Sequence, residues 1–231
     1  MKKCVYFTLL IAMLMSSGNT LAAVPVTSGL VMHLEADSIT GVANGSAIAT
    51  WSDLSGGGKD ATQATADNQP VYIASNQLFK GHATVRFDGT NDWLNLPSGT
   101  SAPINVGSFT LVIVAKFNQM NRSQYLVSGQ GASTNDRLRI LMDWLNSYWA
   151  FHWRTGSTAW PGVMNTTPDT NVHVFGTGSG SGTAEGFLDG TSVGTAANSS
   201  TLQPGNFNIG CLKDTGNYLS GDVAELIVYD R

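Results

Sequence analysis

The segment VRFDGTNDWLNLP, Val85 to Pro97, constrains this chain more than any other. Val85 and Phe87 alternate with Arg86 and Asp88; Asp88, Gly89, Thr90 and Asn91 then turn the chain, and Leu94 and Leu96 share a face on the return. Apolar residues at a period of two, interrupted by Gly, Asn and Asp, mark antiparallel strands with one buried face. The pattern points toward a binding sandwich and away from a catalytic fold.

The same signal recurs along the chain. Strands are expected at Leu30–Ala36, Ile48–Trp51, Val71–Ala74, Thr84–Phe87, Trp93–Leu96, Ser108–Phe117, Gln124–Ser128, Arg137–Met142, Tyr148–Arg154, Val172–Gly176, Ala184–Leu188, Asn206–Ile209 and Asp222–Tyr229. No window carries an apolar stripe at helical spacing, and abundant Gly, Ser, Thr and Asn favour turns over helix. Ser108–Phe117 is the clearest strand: Phe109, Leu111, Ile113, Ala115 and Phe117 line one face, while Val112 and Val114 make the other apolar too. Such a strand belongs in the middle of a sheet with its outer face partly covered. Asp189-Gly190 reads as a hairpin turn, and Ser179 to Gly182 as a loop. Many short strands with turns between them imply an all-β, two-sheet antiparallel jelly-roll sandwich.

The N-terminus reads differently. Lys2 and Lys3 precede an apolar run from Val5 to Met15, and Thr20-Leu21-Ala22 supplies a small-x-small cleavage site. This is the pattern of a secretory signal peptide spanning 1–22, ahead of a single domain over 23–231. No Cys follows the cleavage site to carry a lipid, and no later run approaches the ~20 apolar residues of a membrane span. The expected product is secreted, periplasmic or displayed at the cell surface, without membrane insertion after signal cleavage. Losing Lys2 and Lys3 takes the formal charge from -4 to -6, which gives no electrostatic footprint for nucleic acid. Only Cys211 remains, so no intrachain disulfide can form and hydrophobic burial must supply stability. Cys211 itself reads as a small buried apolar residue.

Four segments follow one another in a telling order: GLVMHLEAD from Gly29 to Asp37 with TWSDLSG from Thr50 to Gly56 and DATQ from Asp60; QPVY from Gln69 with Val85 to Pro97; FLDG from Phe187 to Gly190; and NIG from Asn208 with the closing GDVAELIVYDR from Gly221 to Arg231. Together they resemble the LamG-like jelly roll of the concanavalin A-like lectin/glucanase superfamily. That resemblance implies the sandwich but no single ligand, because one fold can host lectins, glycosidases, lyases and adhesion domains. Members usually run past the last strand into a short polar tail, whereas this sequence stops at Arg231.

Hydrolysis of a glycoside needs two carboxyl groups opposed across a cleft. The resemblance would place them in a Glu-x-Asp-x-(x)-Glu pattern on one strand. Glu35-Ala-Asp37 is the nearest match, but Ile39 and Thr40 stand where the third acid belongs, so Glu35 and Asp37 read as an edge or turn feature. There is no Gly-x-Ser-x-Gly elbow, and His33, His82, His152 and His173 lack metal-pair spacing. No catalytic residue is expected.

Calcium is the candidate cofactor. Asp88 and Asp92 bracket a turn that could offer hard oxygen donors, as do Asp53 and Asp60 around the Gly56–Gly58 loop, although Asx turns use the same residues. The resemblance adds Asp222, at the start of the last strand, as a structural calcium ligand. For ligand binding the aromatic-rich third of the chain stands out. Trp149, Phe151 and Trp153 alternate onto one face as expected core; Tyr148, His152 and Arg154 take the other. Trp160 precedes Pro161-Gly162 in a loop. Sugars stack on aromatic rings while polar groups bond their hydroxyls, so Tyr148, His152, Arg154 and Trp160 are the expected contacts. The expected function is non-catalytic recognition of carbohydrate or another cell-surface ligand. The alternatives are a polysaccharide hydrolase or lyase with a degenerate motif, and an adhesion module with no small ligand.

Overall fold

The structure, a computed structural model, describes residues 24, 26–104, 108–130, 137–143, 145–154, 167–180, 182–197, 205–212 and 216–231, with the backbone alone at 100, 130, 137, 153 and 154. The expected signal segment 1–22 and Trp160 lie outside the described residues, as do the side chains of Trp153 and Arg154.

In chain order the strands are β1 (Leu30–Glu35), β2 (Thr50–Trp51), β3 (Ala61–Thr62), β4 (Val71–Ile73), β5 (Thr84–Asp88), β6 (Leu94–Leu96), β7 (Phe109–Phe117) and β8 (Gln124–Gln130). They continue with β9 (Arg137–Asp143), β10 (Tyr148–Arg154), β11 (Val172–Gly180), β12 (Thr183–Leu188), β13 (Thr191–Ala197), β14 (Asn206–Ile209) and β15 (Ser220–Tyr229). One sheet has the order β13-β12-β11-β7-β15-β5-β4, with β1 also paired to β15; the other has the order β10-β9-β8-β14-β6-β3-β2. The strand pairs are antiparallel, and the two sheets form the expected jelly-roll sandwich. Helix among the described residues is limited to short 3₁₀ turns, none long and apolar enough to cross a membrane.

The apolar faces read from the sequence meet between the sheets. Phe109, Leu111, Ile113, Ala115 and Phe117 of β7 join the main core with Trp149 and Phe151 of β10 and Phe207 and Ile209 of β14. Burying each large side chain contributes about 1.5–3 kcal/mol. Phe117 and Phe175 come from one sheet and Trp149 from the other; the Trp149 ring lies 4.8 Å from Phe117 and 5.1 Å from Phe175. Val112 and Val114 point the opposite way, into an outer cluster with Phe79, Val174, Ile227 and Tyr229. Val24 and Val26 pack over that cluster, and the Tyr229 hydroxyl donates to the Val26 carbonyl. The expected cover on the outer side of β7 is therefore the start of the described chain together with Phe79.

Two local readings change. Ser179 and Gly180, expected in a loop, extend β11 and pair with Ala184 and Thr183, which leaves a two-residue turn before β12. On β15 the register shifts between Val223 and Glu225. This bulge leaves Val223 and Leu226 in the core and turns Glu225 to the outer face, where it meets His33. The Asp189-Gly190 turn is as read: φ is 49° and 81° at the two residues, the left-handed pair that a type I′ hairpin needs. Cys211 is buried, as read.

Candidate functional site

The seven-stranded sheet presents its outer face opposite Trp149, Phe151, Phe207 and Leu94. Strand alternation assigns to that face one residue from each strand, and the register joins them in a single transverse row. Thr50 pairs with Thr62 and Thr62 with Asn95; Asn95 pairs with Asn208 and Asn208 with Ser128; Ser128 pairs with Arg139 and Arg139 with His152. Every member is polar. Thr50, Thr62 and Asn95 are exposed, Asn208 and Ser128 are buried, and Arg139 and His152 are half-buried.

Aromatic surface borders the row. Tyr125, Leu141 and Ala150 form a small cluster on this face, with Tyr148 and Leu212 packed against it. The Arg139 guanidinium lies 5.4 Å from the centre of the Tyr125 ring, within cation–π range. Burial, reinforced by the charge of Asp143, raises the Tyr148 hydroxyl above its ordinary value. Burial and then the Arg139 charge push His152 down to about 4, so its imidazole is neutral at physiological pH.

At the centre of the row stands Asn208, 1% exposed, with neither its Nδ2 nor its Oδ1 hydrogen-bonded among the described residues. A buried polar atom left without a partner costs about 1–3 kcal/mol. An amide that offers both a donor and an acceptor matches a hydroxyl, which can accept and donate in turn. Its neighbour Ser128 donates through Oγ to the Cys211 carbonyl at 2.6 Å.

Of the expected contacts, Tyr148 and His152 are on this face, and the backbone of Arg154 pairs with that of Arg137 at the end of β10. The sequence reading passed over Asn208, Ser128, Asn95 and Arg139. Their signal was present: Asn206-Phe-Asn-Ile209 and Arg137-Leu-Arg-Ile140 alternate polar with apolar as plainly as β10 does.

The acidic candidates lie elsewhere. Asp222 is buried on the outer side of the eight-stranded sheet, where its Oδ1 accepts from Arg86 Nε at 2.7 Å. Thr84 and Asn118 also donate to its carboxylate. A guanidinium and N–H or O–H donors already supply what a calcium ion would, so the donors around Asp222 do not fit the calcium expectation. Asp88 closes an Asx turn, its Oδ1 accepting from the backbone of Thr90, Asn91 and Asp92. Asp92 accepts the Asp88 N–H, and Arg122 donates to the Gly89 carbonyl in the same turn. Asp53 accepts from the backbone of His33, Ser55 and Lys59. Burial opposes ionisation there, but these bonds hold its carboxyl below the usual range. Among the described residues no three His, Cys, Asp or Glu side chains gather as metal ligands.

Glu35 and Asp37 do not make a catalytic strand. Asp37 sits in a 3₁₀ turn and binds His82 Nδ1 at 2.6 Å and the Ala83 N–H at 2.7 Å. Glu35 ends β1, directly opposite Glu225. Burial, then the Glu225 charge, raises its carboxyl above the usual value.

The Laminin_G_3 family profile, described as concanavalin A-like lectin/glucanases superfamily, matches residues 87–231. No curated protein matches the sequence. Among solved structures, Trypanosoma rangeli sialidase in complex with sialic acid is similar over 100% of this chain and 36% of its own, at 18% identity and a TM-score of 0.64. Domain 4 of AbnA, a GH43 extracellular arabinanase from Geobacillus stearothermophilus, in complex with arabinotriose, is similar over 88% of this chain and 93% of its own. There the identity is 13% and the TM-score 0.62. The chain thus spans about a third of the sialidase and nearly all of the arabinanase domain, and at these identities the likeness is one of fold.

Proposed function

The chain belongs to the concanavalin A-like lectin/glucanases superfamily, and from that premise we propose that it is an exported carbohydrate-recognition domain that binds a glycan without cleaving it. The observation that carries this reading is the polar row across the outer face of the seven-stranded sheet, with the unpartnered amide of Asn208 at its centre. A sugar offers hydroxyls to such a row and an apolar C–H face to rings such as Tyr125 and Tyr148. The sandwich core holds the row rigid, so little ordering entropy is lost when a ligand arrives. The fold neighbours determined with sialic acid and with arabinotriose support a carbohydrate ligand at this coarse level. Export rests on the N-terminal signal pattern.

The chemistry of the row supports binding rather than cleavage. It contains hydroxyls, amides, a guanidinium and a neutral imidazole, but no carboxyl pair to act as acid and nucleophile. A glycan array, run with a reducing-sugar release assay on every glycan retained, tests the proposal. Retention without sugar release, lost in Asn208→Leu, is expected. Release of reducing sugar would favour the enzyme alternative, and retention unaffected by Asn208→Leu would move the site off this face.

A further inference from the structure

We infer that β13 pairs edge to edge with β13 of a second copy of this chain, joining two sandwiches through one continuous antiparallel sheet. β13 ends the eight-stranded sheet, with β12 as its neighbour. Among the described residues no group of Thr191–Ala197 bonds to anything beyond β12, and four of the seven residues are exposed. Such a strand presents a row of unpaired N–H and C=O groups, a template for another strand. The opposite edge of the same sheet is closed. There Ala47 bridges to Val71 outside β4, the Gly45 N–H donates to the Tyr72 carbonyl, and the Tyr72 N–H donates to the Ser46 carbonyl.

Edges that must stay single are commonly guarded by Lys, another charge, Pro or a bulge. β13 carries no charge and no Pro, and no charged residue stands between Asp189 and Lys213. A register shift between Gly186 and Phe187 leaves Val193 unpaired, a bulge that guards the first half of the strand; Gly194 to Ala197 pair regularly with β12. An uncharged edge fits a second copy in particular. About a two-fold axis, a charge at the centre would meet its own copy, and one further out would need an opposite charge within the same strand. Residues directly opposite in a ladder share a face. Centred on Thr195, the pairing sets Thr195 against its copy, a favourable Thr–Thr pair, and Gly194 against Ala196, with no bulky side chain between them. The axis then stands perpendicular to the sheet, so both copies turn the polar row of the seven-stranded sheet the same way. On the carbohydrate reading, such a dimer grips one polymer at two points and multiplies avidity about 10²–10⁴-fold.

Sedimentation equilibrium of the protein over a concentration series tests the pairing, and a monomer–dimer equilibrium is the expected result. Thr195→Glu sets two carboxylates face to face, each beside the Glu185 that pairs with position 195 on β12, and should weaken the dimer at least about fivefold. Thr195→Gln, of the same size and uncharged, should keep it. Thr195 is exposed, so both variants should melt close to the unchanged chain. Thr195→Cys should cross-link the dimer on oxidation, because opposed Cβ atoms lie about 4.5–5.5 Å apart, near the reach of a disulfide; Cys211 is buried and does not compete. A chain that stays monomeric at every concentration would overturn the pairing. So would a dimer that Thr195→Glu leaves intact or that Thr195→Cys fails to cross-link. Each of these results would leave the carbohydrate proposal standing, since glycan retention by a monomer needs only the polar row.

Discussion

His33 on β1 and Glu225 on β15, 192 residues apart, meet through Nε2 and Oε1 at 2.8 Å with both side chains buried. The bulge at Ala224 makes this possible, because strict alternation from Val223 would send Glu225 into the core. The contact fastens the first described strand to the last on a part of the sheet where β15 has handed over from β5 to β1.

Removing one partner leaves the other buried without its hydrogen bond. Glu225→Ala should therefore destabilise the fold by about 1–3 kcal/mol, the cost of leaving a buried hydrogen-bonding group unpaired. The His33→Leu/Glu225→Leu double variant should recover most of that loss. Urea denaturation of the three proteins checks both. A double variant no more stable than Glu225→Ala would mean that the bulge geometry, rather than the pair, is what Glu225 supports.

His173 gives a pH signature. Its hydrogen bond to Asp189 raises its pKa, against burial and with help from Asp169. Both aspartates are lowered: burial opposes ionisation, but bonds to His173 and to the backbone prevail. The raised histidine contributes stability that is complete below its unfolded pKa of about 6.5 and fades as pH rises through its folded value. The lowered aspartates contribute stability present above about 4 and lost as pH falls through their folded values. The triad should therefore be most favourable between about pH 4 and 6.5. His173→Gln should flatten the melting temperature's decline above that window, and both aspartates are exposed enough to keep the effect modest.

Most of the fold could be read from the sequence because strand alternation is local. Phe109 to Phe117 and Trp149 to Phe151 announce their buried faces within a few residues. The candidate site could be read only in part, because it is a property of register. Tyr148 and His152 were visible as the polar side of an aromatic strand. That His152 lines up with Arg139, Ser128, Asn208 and Asn95 depends on pairings between strands far apart in sequence, which no local pattern encodes. The surroundings of Asp222 were hidden for the same reason: its partner Arg86 comes from β5, 136 residues earlier. Ser179 and Gly180 looked like a loop because small residues favour turns, yet pairing with β12 overrides that preference.

Asp92 carries a cost at neutral pH. Burial, together with the Asp88 charge and against the Asp88 N–H bond, raises its pKa to about 6. The folded state then binds a proton more tightly than the unfolded chain, so stability falls as pH climbs from about 4 to about 6 and stays reduced above it. Asp92→Asn keeps an oxygen to accept the Asp88 N–H and removes the charge. It should raise stability at pH 7 by on the order of 1–3 kcal/mol and abolish the decline over that window. Millimolar calcium added to chelator-treated protein should leave the melting temperature unchanged. A rise that Asp92→Asn eliminates would instead establish an ion in this turn.

Gly129 on β8 tests how closely the core is packed behind the polar row. A Cβ there would come within 1.9 Å of the Phe207 ring. Phe207 is fully buried and directly paired with Gly129 across β8 and β14, so it has no room to withdraw. Overpacking of this kind costs about 1–3 kcal/mol, and Gly129→Ala should lose at least that much in chemical denaturation. The strain would also push β14 outward and carry Asn208 with it. Glycan retention should therefore fall more steeply than stability when Gly129→Ala is assayed under fully folded conditions. Retention that is unchanged in a folded Gly129→Ala would show that the position of β14 does not set the binding face.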